Sequence, residues 1–331
     1  MRTALVTGAT GQVGSYTVER LRRDGWTVRA LVRDASRAQE LSNAGVELAV
    51  GNVLDAASLA RAALGCDVIF HTAAAVTPSG GWEAFRAPNV DGTRNIIAAT
   101  ERAAARLVHV SSVAVYGSAT RYRTDGKTSE DTELAPLAET NYYARSKRES
   151  EQLVLDAHAA GRIWATALRP DVIYGRHDRQ FVPRIALLLG KVAPIIGGGR
   201  STLAVVHAEN VVDGMVRAAR TDSAGGRAYN LTNDYDVTVN EFFGYAAVGM
   251  NISLRRLPIP LALAKGIEKT YKTLAPLLGS RIKAVSFSAI DFLTRDNPFT
   301  SARAKRELGW DPPMRPEQGV TDAFRWWAEH R

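Results

Sequence analysis

A doubly wound α/β fold, a parallel sheet with helices on both faces, is what this 331-residue chain predicts. Three observations predict it. Short apolar runs alternate with helical patterns as far as Gly175, a glycine-rich turn joins the first apolar run to the first helix, and the rhythm changes after Gly175. Strands are expected over 3–7, 27–32, 47–50, 68–71, 106–111 and 165–169, and helices over about 13–23, 35–43, 57–63, 92–103 and 142–159. Beyond Gly175 come Pro183, Pro194, a Gly197-Gly198-Gly199 turn, a helix from about Asn210 and an apolar, basic helical region from about Leu261, which together imply a smaller lobe.

The first turn reads Thr7-Gly8-Ala9-Thr10-Gly11-Gln12-Val13-Gly14. Glycines at 8, 11 and 14 let the chain turn sharply, bring backbone N–H groups near a diphosphate and pack the helix on the sheet. The helix N-terminus favours the negative charge. Gly8, Thr10, Gly11, Gln12, Val13 and Gly14 are therefore expected to hold a dinucleotide in a Rossmann-type domain over 1–175, with a return around 205–230; residues 176–331 are mainly a substrate lobe. An NAD-preferring site carries a carboxylate at the end of the second strand. Here Val32 takes that place and Arg33 follows, a guanidinium suited to a 2'-phosphate, so NADP(H) is favoured over NAD(H). Arg37 is placed to assist, while Asp34 either caps the next helix or holds a ribose hydroxyl.

Tyr143 and Lys147 stand four residues apart, on one face of a helix. An ammonium near a phenol favours the phenolate, so one hydroxyl can give and take a proton near neutral pH. The spacing alone is common, and a surface tyrosine beside a solvated lysine is its ordinary origin. Tyr142 lies about 100° around the helix from Tyr143, which excludes it from pairing with Lys147. Glu151, four residues beyond Lys147, is a competing partner; a surface pair of that kind is worth only about 0.3–0.5 kcal/mol.

Bulk properties narrow the class. The net charge of +8 comes from scattered arginines without a run of like charge, so no nucleic-acid partner is expected. The one cysteine, Cys66, excludes an internal disulfide and reads as packing. No metal site is expected. The apolar stretch 257–278 is broken by Pro258, Pro260, Lys265, Glu268, Lys269, Lys272 and Pro276, short of the roughly 20 residues a membrane span needs. The chain opens directly on a strand, leaving no room for a secretory signal, and a cytoplasmic location is expected.

Four further segments follow successive strands: Gly51-Asn-Val-Leu-Asp55, Phe70-His-Thr-Ala-Ala-Ala75, Ser111-Ser-Val-Ala-Val-Tyr-Gly117 and Arg169-Pro-Asp-Val-Ile-Tyr-Gly175. With the glycine loop they resemble the extended short-chain dehydrogenase/reductase family, also called the NAD-dependent epimerase/dehydratase family, across nearly the whole chain. That resemblance implies Asn52 and Val53 at the adenine, although the family usually has Asp where Asn52 stands. It implies Ala73 and Ala75 beside the nicotinamide ribose, and Pro170 and Val172 at the carboxamide. The serine four residues before the tyrosine of Ser-x-x-x-Tyr-Gly is Ser112, with Ser111 as runner-up. Ser112 would hold the substrate oxygen, Tyr143 would exchange the proton, and Lys147 would bond the ribose and keep the phenol acidic. His71 is given no catalytic part.

Within the family, dehydration is disfavoured because Val113 and Ala114 stand where 4,6-dehydratases place an acid pair. Arg200-Ser-Thr-Leu-Ala-Val-Val-His207 lacks the run usual in sugar-nucleotide epimerases. Arg33, the apolar run 257–264 and the stretch from Asn297 to Trp310 are most similar to the dihydroflavonol reductase and 3-beta-hydroxysteroid dehydrogenase-like subgroup. Hydride transfer to or from a carbonyl or secondary alcohol of an apolar or aromatic small molecule is the implied activity, with a sugar-nucleotide epimerase as the alternative. A non-catalytic NADP-sensing regulator is the alternative of another class; such relatives typically lose the tyrosine and lysine that this chain retains. Ser112, Val113, Tyr143, Asp171, Tyr174 and Arg176 are the candidate substrate contacts, at the sheet end where the lobe begins. The resemblance also implies a homodimer through a four-helix bundle of helices 92–103 and 142–159.

Overall fold

Successive side chains of strand β1 (Thr3–Thr7) point to opposite faces, and both faces are buried: Ala4 and Val6 enter one core, Leu5 another. The same division holds along β2 (Thr27–Val32), where Val28, Ala30 and Val32 face one way and Leu31 the other, and in β4 (Val68–His71) and β5 (Arg106–Val110). With β3 (Glu47–Val50), β6 (Trp164–Pro170) and β10 (Ala228–Leu231) they form a seven-stranded sheet in the order β10-β6-β5-β4-β1-β2-β3. Every pairing in it is parallel. The computed structural model describes residues 2–77, 79–117, 127–232, 235–267, 269 and 287–331.

One face is covered by α1 (Gln12–Arg23) and α8 (Ala208–Arg220), through Tyr16, Val18 and Leu21 and through Val211, Val212 and Met215. The other is covered by α3 (Ala56–Ala63), α5 (Gly92–Ala103) and α6 (Tyr142–Ala159). Strand order reverses between β1 and β4, and a crevice outside their carboxyl ends is where such sheets take ligands.

Two short parallel ribbons lead into the lobe: β7 (Val172–Tyr174) with β9 (Val205–His207), and β8 (Ala193–Ile196) with β11 (Arg256–Ile259). Its core is aromatic. Tyr174 and Phe324 both pack edge-on against Phe242, from helices α12 (Pro316–Glu329) and α9 (Val239–Gly249) and from β7. α7 (Phe181–Leu189) and α10 (Phe287–Thr294) complete it.

Local detail departs from the sequence expectations at several points. The helix expected over 35–43 is a 3-10 turn over Ala35–Ala38 followed by α2 (Gln39–Asn43), with Asp34 as its cap. A short helix α4 (Trp82–Arg86) and a π-helical segment Ala87–Asp91 precede α5, and β5 ends at Val110, short of Ser111. α11 (Ala302–Leu308) and Trp310 pack in the first core rather than in the lobe, with the indole N–H donating to Asn210 O at 3.1 Å. Of the apolar, basic region expected from Leu261, residues 261–267 are helical, and 270–278 lie outside the described residues. Among the described residues no helix is long and apolar enough to cross a membrane.

Candidate active site

At the reversal, Gly8 adopts a φ of +68°, and a Cβ there would lie 2.8 Å from Ala73 N. A Cβ at Gly14 would lie 2.0 Å from Gly8 O, so helix and strand meet only because both residues are glycine. Gly11 caps α1 without a side-chain acceptor, and the first turn carries no acid. Gln12 Nε2 is buried without a hydrogen-bond partner. An orphaned donor beside a helix N-terminus whose amides face the turn is what a diphosphate would satisfy, so the residues present fit a dinucleotide. Thr10 is exposed and Val13 half-buried on the same turn.

Arg33 is exposed just past β2. Asp34 spends its carboxylate on Ser36, accepting from its amide at 2.9 Å and from its hydroxyl, and these bonds hold it below the usual carboxylate range. Arg37 lies 3.6 Å from Asp34 and points to solvent. Asn52 Oδ1 accepts from Leu54 N–H at 3.1 Å, an Asx turn that ties the acceptor expected at the adenine into its own loop. Val53 packs below Gly92.

The candidate triad converges from two elements. Ser112 opens a 3-10 turn over Val113–Tyr116, its Oγ accepting from Ala114 N–H at 3.2 Å. Tyr143, half-buried, and Lys147 lie in the first turns of α6, which Asn141 caps. Lys147 is 3% exposed and donates from Nζ to Val110 O at 2.6 Å. Its neighbour Arg148 donates twice to Val115 O, at 3.0 and 2.5 Å. Adjacent residues of one helix thus grip the carbonyls on either side of Ser112, and that bracket sets the serine turn against the turn carrying Tyr143. Nothing in the sequence marks Arg148 for this work. Ser111 is buried, with its Oγ unpartnered, and Tyr142 packs its ring near Trp82 and Phe85.

Burial pushes the Lys147 ammonium down from 10.5 to about 8, with Glu151 opposing. Between those values the unfolded chain binds a proton that the folded one has released, so stability rises with pH there; below about 8 the cost of the buried charge is felt in full. Thermal melts of the cofactor-free protein should therefore show wild type gaining on Lys147→Met from pH 8 to pH 10.5. Curves that stay parallel would overturn this assignment.

Glu151 is not the surface partner of Lys147 that its spacing suggests. Its side chain is 4% exposed and takes a forked bond from Arg169, at 2.6 Å from Nη2 and 3.0 Å from Nε. Arg169 also donates to Tyr116 Oη at 2.8 Å, and Tyr116 donates to Asn230 Oδ1 at 2.8 Å. The lysine is left to the cleft because β6 delivers a better cation from below.

Asn89, in the π-helical segment, went unread in the sequence. Its amide pairs with both groups of Ala75, accepting from N–H at 2.7 Å and donating to C=O at 2.9 Å, and donates to Ser146 Oγ, which bonds Tyr143 O. It ties the loop of Ala73 and Ala75 to the turn of Tyr143. His71 shares hydrogen bonds with Thr7 Oγ1 at Nδ1 and with Thr93 Oγ1 at Nε2; burial pushes it down to about 3, a neutral ring in a structural place. Pro170 ends β6, buried, and Val172 is half-buried beyond it.

Three residues expected at the substrate are engaged elsewhere. Asp171 accepts from Thr232 Oγ1 and is 5% exposed. Tyr174 is wholly buried against His207 and Phe242, and Arg176 pairs with Glu19 at 2.7 Å on the outer side of α1. These side chains serve the joint between sheet and lobe. Val113 is likewise packed, beside Tyr116 and Phe299. Among the described residues no cluster of three metal-ligating side chains occurs.

The model of the NAD dependent epimerase/dehydratase family matches residues 4–232. The chain belongs to that family. It is 31% identical to a 4-hydroxy-2-methyl-3-oxo-4-farnesyl-3,4-dihydroquinoline-1-oxide ketoreductase of Stigmatella aurantiaca, over 98% of this chain and 96% of that one. It is 30% identical to a 2-alkyl-3-oxoalkanoate reductase of Shewanella oneidensis, over 96% and 84% respectively. Among solved structures, gox2253 matches with a TM-score of 0.79 and 28% identity, covering 100% of this chain and 99% of its own. A UDP-glucuronic acid 4-epimerase from Bacillus cereus shares the fold, with a TM-score of 0.75 at 18% identity and 99% coverage of both chains. This family member is an NAD(P)-dependent oxidoreductase of the extended short-chain dehydrogenase/reductase type.

Proposed function

We propose that the protein is an NADP(H)-dependent reductase that moves hydride between the nicotinamide and a carbonyl or secondary alcohol of an apolar or aromatic small molecule, using Ser112, Tyr143 and Lys147. The bracket of Lys147 and Arg148 around Ser112 carries the reading. The nicotinamide, when bound, supplies or accepts the hydride. The protein handles the oxygen. Ser112 Oγ accepts from Ala114 N–H and keeps its own hydrogen to donate to the substrate oxygen, where negative charge develops. Tyr143 Oη gives that oxygen its proton, or takes it in the reverse direction. Lys147 commits one N–H to Val110 and offers the others to the ribose hydroxyls, while its charge favours the phenolate. Glu151, held by Arg169, does not compete for it.

The same proposal assigns the diphosphate to the turn 8–14, the 2'-phosphate to Arg33, the adenine to Asn52 and Val53, and the nicotinamide end to Ala73, Ala75, Pro170 and Val172. Two relatives named as a ketoreductase and a reductase of alkylated oxo acids support an apolar ketone as substrate. Arg33→Ala should raise the Kd for NADPH roughly 10- to 100-fold, as loss of a charge-assisted hydrogen bond does, and leave NADH unaffected. Equal losses for both would remove Arg33 from the 2'-phosphate. A homodimer through α5 and α6 would join faces bearing Arg94, Glu101, Arg145 and Asp156, a polar seam whose self-association would weaken with salt.

A further inference from the structure

The lobe carries an exposed face of unusual chemistry. The stretch 179–208 contains Arg179, Arg184, Lys191 and Arg200 and no acid; the stretch 242–267 contains Arg255, Arg256 and Lys265 and no acid. Within them lie Leu187, Val248, Ile252 and Leu257, exposed by 65%, 69%, 37% and 49%. Scattered exposed leucines are ordinary, but apolar side chains grouped with cations of one sign are not.

The fold gathers part of this set at one end of the lobe. Arg184, Leu187 and Lys191 recur at three- and four-residue steps on one side of α7 and its continuation. Lys191 leads into β8, and Arg255 leads into β11, whose parallel pairing is anchored by Ala193 N–H donating to Arg255 O at 2.8 Å. Val248 lies in the last turn of α9, and Ile252 closes that turn through its N–H to Ala247 O at 3.0 Å. These fringe the end at which the β8–β11 ribbon begins, whereas Arg200 and Lys265 follow its far end and Arg179 precedes α7. The helix packed on α9, α12, carries Glu317, Glu329 and Asp322, the last paired with Arg325 at 2.9 Å, and Glu241 lies in the first turn of α9, at the end of that helix away from Val248 and Ile252.

We propose that this face seats the enzyme on an anionic lipid bilayer, the apolar side chains entering the headgroup boundary and the arginines and lysines meeting lipid phosphates. The charge selects the occupant: a second copy of this basic face would repel the first, whereas an anionic membrane complements both halves of its chemistry. Among the described residues no helix is long and apolar enough to cross a membrane, and the binding proposed is peripheral and reversible. A reductase seated there would meet ketones that partition into the membrane; that consequence rests on the proposed function, but vesicle binding does not.

The full-length protein is floated with vesicles of phosphatidylcholine alone and of phosphatidylcholine with phosphatidylglycerol, at low and high salt. It should float with the anionic vesicles only, and less at high salt. Arg255→Glu with Arg256→Glu should cut the partition at least about tenfold, near the effect of removing two surface cations from an anionic interface. Leu187→Ser with Leu257→Ser should cut it at low salt, where charge is unchanged. Both variants should melt like wild type and keep its turnover of a water-soluble ketone. No flotation of wild type, or undiminished flotation of the charge variant, overturns the proposal. So does a concentration-dependent dimer that the charge variant dissolves without any vesicle binding.

Discussion

Tyr143→Phe is expected to lower kcat roughly 10²- to 10⁴-fold, the usual worth of a positioned general acid, while the Kd for NADPH stays nearly unchanged. In the proposed mechanism the phenol reaches the reacting oxygen, and the turn 8–14 and the loop held by Asn89 remain intact without it. Lys147→Met should differ in kind, because in the proposed mechanism the ammonium serves both the phenol and the ribose: kcat falls and the cofactor Kd rises. NADPH oxidation over a panel of ketones, steroids, flavonoids and sugar nucleotides, with fluorescence titration of the cofactor, separates the two patterns. Undiminished turnover by Tyr143→Phe would remove this mechanism. Formation of an epimer from a sugar nucleotide, with no net oxidation of NADPH on any compound of the panel, would instead favour the epimerase alternative.

Arg169→Leu should destabilise the protein by about 3–5 kcal/mol, the cost of breaking a buried ion pair from one side. The change strands the Glu151 carboxylate at 4% exposure and takes a donor from Tyr116. Replacing both partners, Glu151→Leu with Arg169→Leu, should recover most of the loss, because no charge is then left buried alone. Urea unfolding of the two single variants and the double variant measures the coupling directly. A double variant as unstable as the sum of the singles would mean the pair is not the unit described.

Much of the sheet was legible because its signal is local. β1 to β4 need only apolar runs bounded by turns, and the glycines at 8 and 14 announce a close approach that a Cβ would prevent. The segment around Asn89 was not legible. Its π-helical turn and its clamp on Ala75 depend on a loop fourteen residues earlier, and no periodicity records that. α11 and Trp310 were read with the lobe by sequence order, yet they fill the first core beside Asn210. Asp171, Tyr174 and Arg176 stood at a sheet end, where substrates are met, but their side chains turn into Thr232, Phe242 and Glu19.

By itself the sequence determined the family, the parallel α/β class, the glycine-rich turn before α1 and the four-residue spacing of Tyr143 and Lys147, since each is carried by residues adjacent along the chain. Only the tertiary structure decided which charge Glu151 would take. Spacing offered Lys147, one helical turn away, but β6 runs beneath α6 and presents Arg169, whose planar guanidinium meets a buried carboxylate with two bonds where an ammonium offers a point charge. That choice through space leaves Lys147 turned toward Val110 and the serine turn.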